Sequence, residues 1–142
     1  MRRHTLSATA IAFIIGILSL SANAGVIEDR KANFKANNAS MRAIATALSF
    51  DDFDAVADEA EKIAAWAMVM PDYFPEGSGV GTSAKPAIWS DFAGFTDAAA
   101  ANHRAARDLI AAAQNRDAAK AGAALKAVGA TCKACHQTFK SW

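Results

Sequence analysis

A chain of 142 residues, with 15 lysines and arginines against 14 aspartates and glutamates, is long enough for one small domain with a core of its own. That balance does not suggest nucleic acid or an anionic membrane surface as a partner. Alanine enrichment, three prolines and few β-branched residues describe an all-helical protein.

The first 24 residues read as a secretory signal. Arg2, Arg3 and His4 form a basic start, Leu6 to Leu20 an apolar core, and Ala22-Asn23-Ala24 a small-x-small cleavage site. The apolar run is shorter than the ~20 residues a membrane span requires. Cleavage is expected after Ala24, which leaves residues 25–142 as one domain in the periplasm with no membrane attachment. Loss of Arg2 and Arg3 leaves 13 basic against 14 acidic residues.

Across residues 26–49 an amphipathic stripe runs through Ile27, Phe34, Met41, Ile44 and Leu48, with Arg30 in the same stripe, and predicts a first helix. Asp51 or Asp52 is placed to cap a second, whose stripe is Phe53, Val56, Ala60, Ile63, Ala67 and Met70. Pro71 ends it. All three prolines fall between 71 and 86 with Gly77, Gly79 and Gly81, so this segment is a long loop. A third helix is expected from Ala87 or Ile88, carrying Trp89, Phe92, Phe95, Ala99, Ala106 and Ile110. After Asn115 a short turn leads to the last, with Ala118, Ala121, Leu125, Val128, Cys132, Cys135 and Phe139 on its inner side. Four such helices with two short connections and one long crossing loop make an antiparallel up-down-up-down bundle.

The last helix carries Cys132-Lys133-Ala134-Cys135-His136, and the chain has no other cysteine. C-x-x-C-H is the attachment signature of a c-type haem. Two thiols three residues apart share a helix face and can form thioethers with the two vinyl groups, while the next imidazole reaches the iron as its proximal ligand. Three other readings fit less well. A thioredoxin-like pair opens a helix after a strand, and no strand pattern precedes this one. Zinc needs further Cys or His, and only His4 and His103 remain. A disulfide across three helical residues is strained. One covalent haem c held by Cys132 and Cys135, with His136 on the metal, is therefore expected.

A C-terminal C-x-x-C-H on the fourth helix of an exported bundle resembles the class II cytochromes c, the cytochrome c′ family, across nearly all of residues 25–142. The likeness is carried by Val26-Ile27-Glu28-Asp29-Arg30 with Phe34-Lys35 and Met41-Arg42-Ala43-Ile44, by Phe74-Pro75-Glu76-Gly77-Ser78 with Ala84-Lys85-Pro86-Ala87-Ile88-Trp89, and by Cys132 to His136 with Phe139-Lys140. The resemblance implies that Arg30 pairs with a haem propionate, which suits a guanidinium at the haem edge; from the residues alone Arg30 reads as an ordinary helix charge. It places Thr82 and Ser83 on the same edge as hydroxyl donors. Lys140 stands where the family often has Arg, one turn beyond His136. Trp89 and Phe139 read as packing around the haem, and His103 as a surface residue.

The family divides by the residue four after the arginine. Methionine there gives a six-coordinate, low-spin electron carrier, and an apolar residue leaves the iron five-coordinate. Here that residue is Phe34, which cannot ligate iron and can only fill the distal pocket, where no hydrogen-bond donor is evident. The resemblance thus implies a high-spin haem that binds small diatomic gases such as nitric oxide and carbon monoxide, passes single electrons to a redox partner protein, or both. The alternative is a dedicated low-spin carrier with Met41 as sixth ligand, although Met41 lies seven residues, or ~10 Å, along the helix. Met68 and Met70 are expected in the core or at an interface. An enzyme is not expected, since Phe34 offers no acid–base group. Homodimers that pair the first two helices are common in the family, and Ala43, Ala47, Ala57 and Ala64 can line such a contact.

Overall fold

The computed structural model describes the backbone of residues 9–142 and the side chains of residues 25–142, so the expected leader and its cleavage lie outside the residues described in full. Four long helices, α1 (Thr9–Leu48), α2 (Phe53–Val69), α4 (Phe92–Gln114) and α5 (Ala118–Phe139), form an up-down-up-down bundle, with a single-turn helix α3 (Ala87–Ser90) before the third. Among the described residues the only β pairing is an isolated antiparallel bridge between Ala84 and Lys140.

Aspartates start three of the helices. The carboxylates of Asp52, Asp91 and Asp117 accept hydrogen bonds from the N–H groups of Ala55, Gly94 and Lys120, each satisfying a donor that the first turn cannot pair. Of the two expected caps on α2 it is Asp52 that serves, while Asp51 turns the chain with φ of 55°. The third helix does not run unbroken from Ala87. Asp91, at φ −132° and ψ 59°, leaves the helical region to cap α4, so Trp89 belongs to the separate turn α3. Its indole N–H donates to the carbonyls of Phe74 and Pro75 at 3.0 and 3.1 Å, tying the turn to the crossing loop. Gly79 lets that indole lie against the loop, since a Cβ there would stand 2.6 Å from the ring.

Two clusters make up the core. One is aliphatic and alanine-rich, built on Ile44, Val56, Ile63, Leu109, Ile110 and Val128. The other is aromatic, with Trp66, Phe74, Phe95 and Phe139 buried beside Met70 and Ile88, and Phe34 and Cys135 packed against it. Full burial of each large apolar side chain stabilises the fold by roughly 1.5–3 kcal/mol. Ala47 and Ala64 lie in the aliphatic cluster, so they face inward rather than lining a contact between copies; Ala43 is exposed and Ala57 half-buried. Met70 is buried and Met68 exposed. His103 is not a free surface residue: it is half-buried, and its Nδ1 donates to the Ala64 carbonyl at 3.0 Å, joining α4 to α2. α1 and α5 touch each other far less than α2 and α4 do, and the space they leave is the site.

Candidate haem site

A cavity of about 570 Å³ opens between α1, the crossing loop and the end of α5. Small-molecule and cofactor sites occupy roughly 300–1,000 Å³, so the volume suits a bound organic group. Of the residues expected from sequence, Arg30, Phe34, Thr82, Ser83, Cys135 and His136 all line it. Cys132 does not face it directly; it sits half-buried one turn earlier on α5, where Asn102 Nδ2 reaches its sulfur at 3.7 Å and Thr131 at 2.8 Å.

Cys132 and Cys135 are not joined in a disulfide. Burial raises both pKa values, and the neighbouring Cys132 adds to burial in pushing Cys135 up to about 11. Among the described residues no set of three or more His, Cys, Asp and Glu converges as a bare metal site. His136 is pulled the other way: burial first, and then the charge of Lys140, lower its pKa. A neutral imidazole keeps a lone pair for iron. Lys140 also lies 3.9 Å above the ring of Trp142, which meets the His136 ring edge-on at 5.9 Å.

Across the cavity from His136 stands Phe34, with 6.5 Å between ring centroids. The planes meet at 66°, so the two rings touch edge-on, and a flat macrocycle, which needs about 7 Å for two layers of carbon contact, would seat against His136 only with the Phe34 ring swung outward. Met41 does not line the cavity and packs instead against the aliphatic cluster.

Arg30 is 4% exposed, and among the described residues no carboxylate lies within ion-pairing distance of it. Its Nη2 donates to the Ser78 carbonyl at 2.9 Å, its Nη1 to Ser78 Oγ and the Tyr73 carbonyl at 3.3 Å, and its guanidinium lies 4.2 Å over the Phe74 ring. Burial lowers its pKa, yet an arginine remains charged. A buried cation without a counter-charge at the edge of an apolar slot, with Lys31, Lys35 and Lys140 also lining that slot and no Asp or Glu doing so, fits a flat group that carries carboxylates. The residues present therefore fit a haem.

Ser83 is exposed and its carbonyl accepts from Ser141 N–H at 2.8 Å, while Thr82 Oγ1 gives its proton to the Gly79 carbonyl at 2.8 Å and accepts from Ala84 N–H at 3.1 Å. Thr82 thus braces its own loop. Lys85 N–H donates to the Phe139 carbonyl at 2.9 Å, completing the bridge that pins the loop to the end of α5. Several contributors escaped the sequence reading. Ser78, fully buried beneath Arg30, lies in a loop without periodicity, and Asn102 in an alanine-rich helix, and neither position carries a local signal of its partner. Trp66 sits off the stripe assigned to α2, but a tryptophan between two alanines on an amphipathic helix was a signal available to find it.

Comparison with known proteins agrees with this geometry. The family model for Cytochrome C' matches residues 25–140. The chain is 38% identical to a cytochrome c′ of Rhodospirillum rubrum, over 99% of each chain. It is 37% identical to a cytochrome c-556 of Agrobacterium fabrum, over 99% of this chain and 97% of that one. Among solved structures, cytochrome c′ from Thermochromatium tepidum superposes with a TM-score of 0.76 at 30% identity, covering 84% of this chain and 97% of that one. A nitric oxide complex of a mutant cytochrome c prime from Alcaligenes xylosoxidans superposes with a TM-score of 0.76 at 25% identity, covering 84% and 96%.

Proposed function

The chain belongs to the cytochrome c′ family, and from that footing we propose that it is a periplasmic haem protein whose iron is five-coordinate and high-spin, binds nitric oxide or carbon monoxide, and also passes single electrons. It carries one haem c, and Cys132 and Cys135 are its only thiols for the covalent attachment. Bound in this slot, the haem supplies a redox-active iron with one coordination position open to small ligands.

The protein's own part is ligation, exclusion and charge. His136 offers a neutral imidazole on one wall. On the other, the Phe34 ring excludes water and bulky ligands, and it has no lone pair to give the metal. Arg30 holds a positive charge where the carboxylates of the group would lie, and Lys31 and Lys35 continue that charge along the rim. The observation that carries the reading is the placement of Phe34, rather than Met41, 6.5 Å from the His136 ring. The low-spin carrier with Met41 on the iron would need a different register of α1.

Acid–base catalysis is not part of this proposal, because Phe34 supplies no proton donor. Export rests on the leader; among the described residues no helix is long and apolar enough to cross a membrane. A homodimer through α1 and α2 is the expected assembly, with Ala43 and Ala57 remaining on the outer side.

Optical and electron-spin-resonance spectra of the purified holoprotein, ferric and ferrous, with and without nitric oxide, test the proposal. High-spin ferric signals and prompt binding of the gas by the ferrous form are expected. A low-spin spectrum with the long-wavelength band of a methionine–iron bond would overturn it and return Met41 to consideration.

A further inference from the structure

Among the described residues one buried side-chain polar atom has no hydrogen-bond partner: the indole Nε1–H of Trp66, on a residue only 6% exposed. Buried donors are nearly always paired, so an orphan marks a place where something else is expected. The contrast with Trp89 is direct, since that indole N–H reaches two carbonyls. Around Trp66 the neighbours are rings. Tyr73 lies 4.9 Å away between centroids, and Phe34 lies 5.6 Å away at 88°. The Tyr73 carbonyl already accepts from Arg30.

Phe34 is the residue that faces His136. A diatomic ligand entering opposite His136 must push that ring aside; Trp66 does not itself line the cavity, but its ring stands against Phe34, so movement of Phe34 is what would uncover it. We propose that Trp66 Nε1–H is the distal hydrogen-bond donor of this protein, held unpaired among aromatic rings until the Phe34 ring moves and the outer atom of the ligand takes its place. The assignment rests on the gas-binding reading above. It makes Trp66 a specificity-determining residue: a single donor favours ligands whose outer atom carries partial negative charge, nitric oxide and dioxygen, over carbon monoxide.

The test is vibrational spectroscopy and dissociation kinetics of the ferrous carbon monoxide and nitric oxide complexes of the holoprotein. Wild type, Trp66→Phe, Phe34→Ala and the Phe34→Ala/Trp66→Phe pair are compared. A hydrogen-bond donor on the ligand's outer atom would draw more of the iron's electron density into the ligand's antibonding orbital and lower its stretching frequency. Trp66→Phe should therefore raise the C–O and N–O frequencies and speed nitric oxide release roughly three- to ten-fold, the kinetic equivalent of one ordinary hydrogen bond. Exchange into D₂O should shift the stretch in wild type and not in Trp66→Phe, and the wild-type effect needs no variant to fold. Unchanged frequencies and rates, with no isotope effect, would overturn the assignment and leave the indole as packing against Tyr73. If wild type takes up neither gas while Phe34→Ala does, the gas-binding reading of the native chain fails, and the Phe34→Ala pair alone then decides the role of Trp66.

Discussion

Replacing Arg30 with methionine keeps most of the side chain's length and apolar stem while deleting the guanidinium. The loss can be worked from its contacts. One charge-assisted bond of good length, to the Ser78 carbonyl at 2.9 Å, is worth ~1.5–3 kcal/mol. The two at 3.3 Å add little, and a desolvated cation over the Phe74 ring at 4.2 Å adds up to ~2 kcal/mol. Against this stands relief from burying a charge, while Ser78, fully buried, loses its partner. Apart from what the haem carboxylates add in the holoprotein, the balance is a destabilisation of about 3 kcal/mol, or a fall of about 10 °C in Tm for a domain of this size. Thermal and urea unfolding of the holoprotein would measure it, and limited proteolysis would show whether the crossing loop has come free of α1. Arg30→Lys should recover little, because a single ammonium lacks the planar fork whose two nitrogens divide the Tyr73 and Ser78 acceptors between them. If Arg30→Met unfolds within ~0.5 kcal/mol of wild type and its loop stays resistant, the Arg30 contacts with Tyr73 and Ser78 contribute nothing to stability.

Gly79→Ala places a methyl against the Trp89 ring and should cost ~1–3 kcal/mol with a visible change in tryptophan emission; normal stability and emission would mean that the loop yields freely. Phe34→Met should bring a thioether to the distal side and convert the spectrum to low spin, and a spectrum that stays high-spin would show that position 34 does not face the iron. Glu59 has its pKa held down by Lys62 first and by the Ser40 hydroxyl second. Its contribution is therefore present above the ordinary carboxylate range and lost as pH falls through the lowered value. Glu59→Gln should accordingly be less stable than wild type at neutral pH, with the gap closing in acid; an equal gap at both extremes would exclude ionisation as the cause.

Periodicity and chemistry made much of this legible. The C-x-x-C-H run fixed the cofactor's class, since few other uses explain two thiols and an imidazole at that spacing, and the stripes placed the four long helices. What the stripes could not show was any break decided by a single dihedral, as at Asp91, where a side-chain cap outcompetes one more helical turn. Nor could they show tertiary partners. Arg30 was visible as a cation in an apolar stripe, but its acceptors lie more than forty residues away in a loop without periodicity. Alanine faces were ambiguous for a similar reason: Ala43 and Ala47 lie one turn apart, and only packing reveals that the second belongs to the core. His103 misled because alanine neighbours resemble a solvated face, when in fact they bring α2 close enough for a backbone carbonyl to accept a hydrogen bond from its ring.

The split core has a consequence for how the molecule endures the loss of its guest. At one end aliphatic and alanine side chains close on each other and need nothing further. At the other, aromatic rings surround a slot whose filling is not made of amino acids, and a stranded cation stands at its lip. Without haem the two ends are unequal: the aliphatic end keeps its shape, while the aromatic end is left with an apolar hollow and an unanswered charge. The apoprotein is thus half a scaffold and half a socket, and hydrogen exchange in it should be slow around Val56 and Leu109 and fast around Phe34 and Phe139.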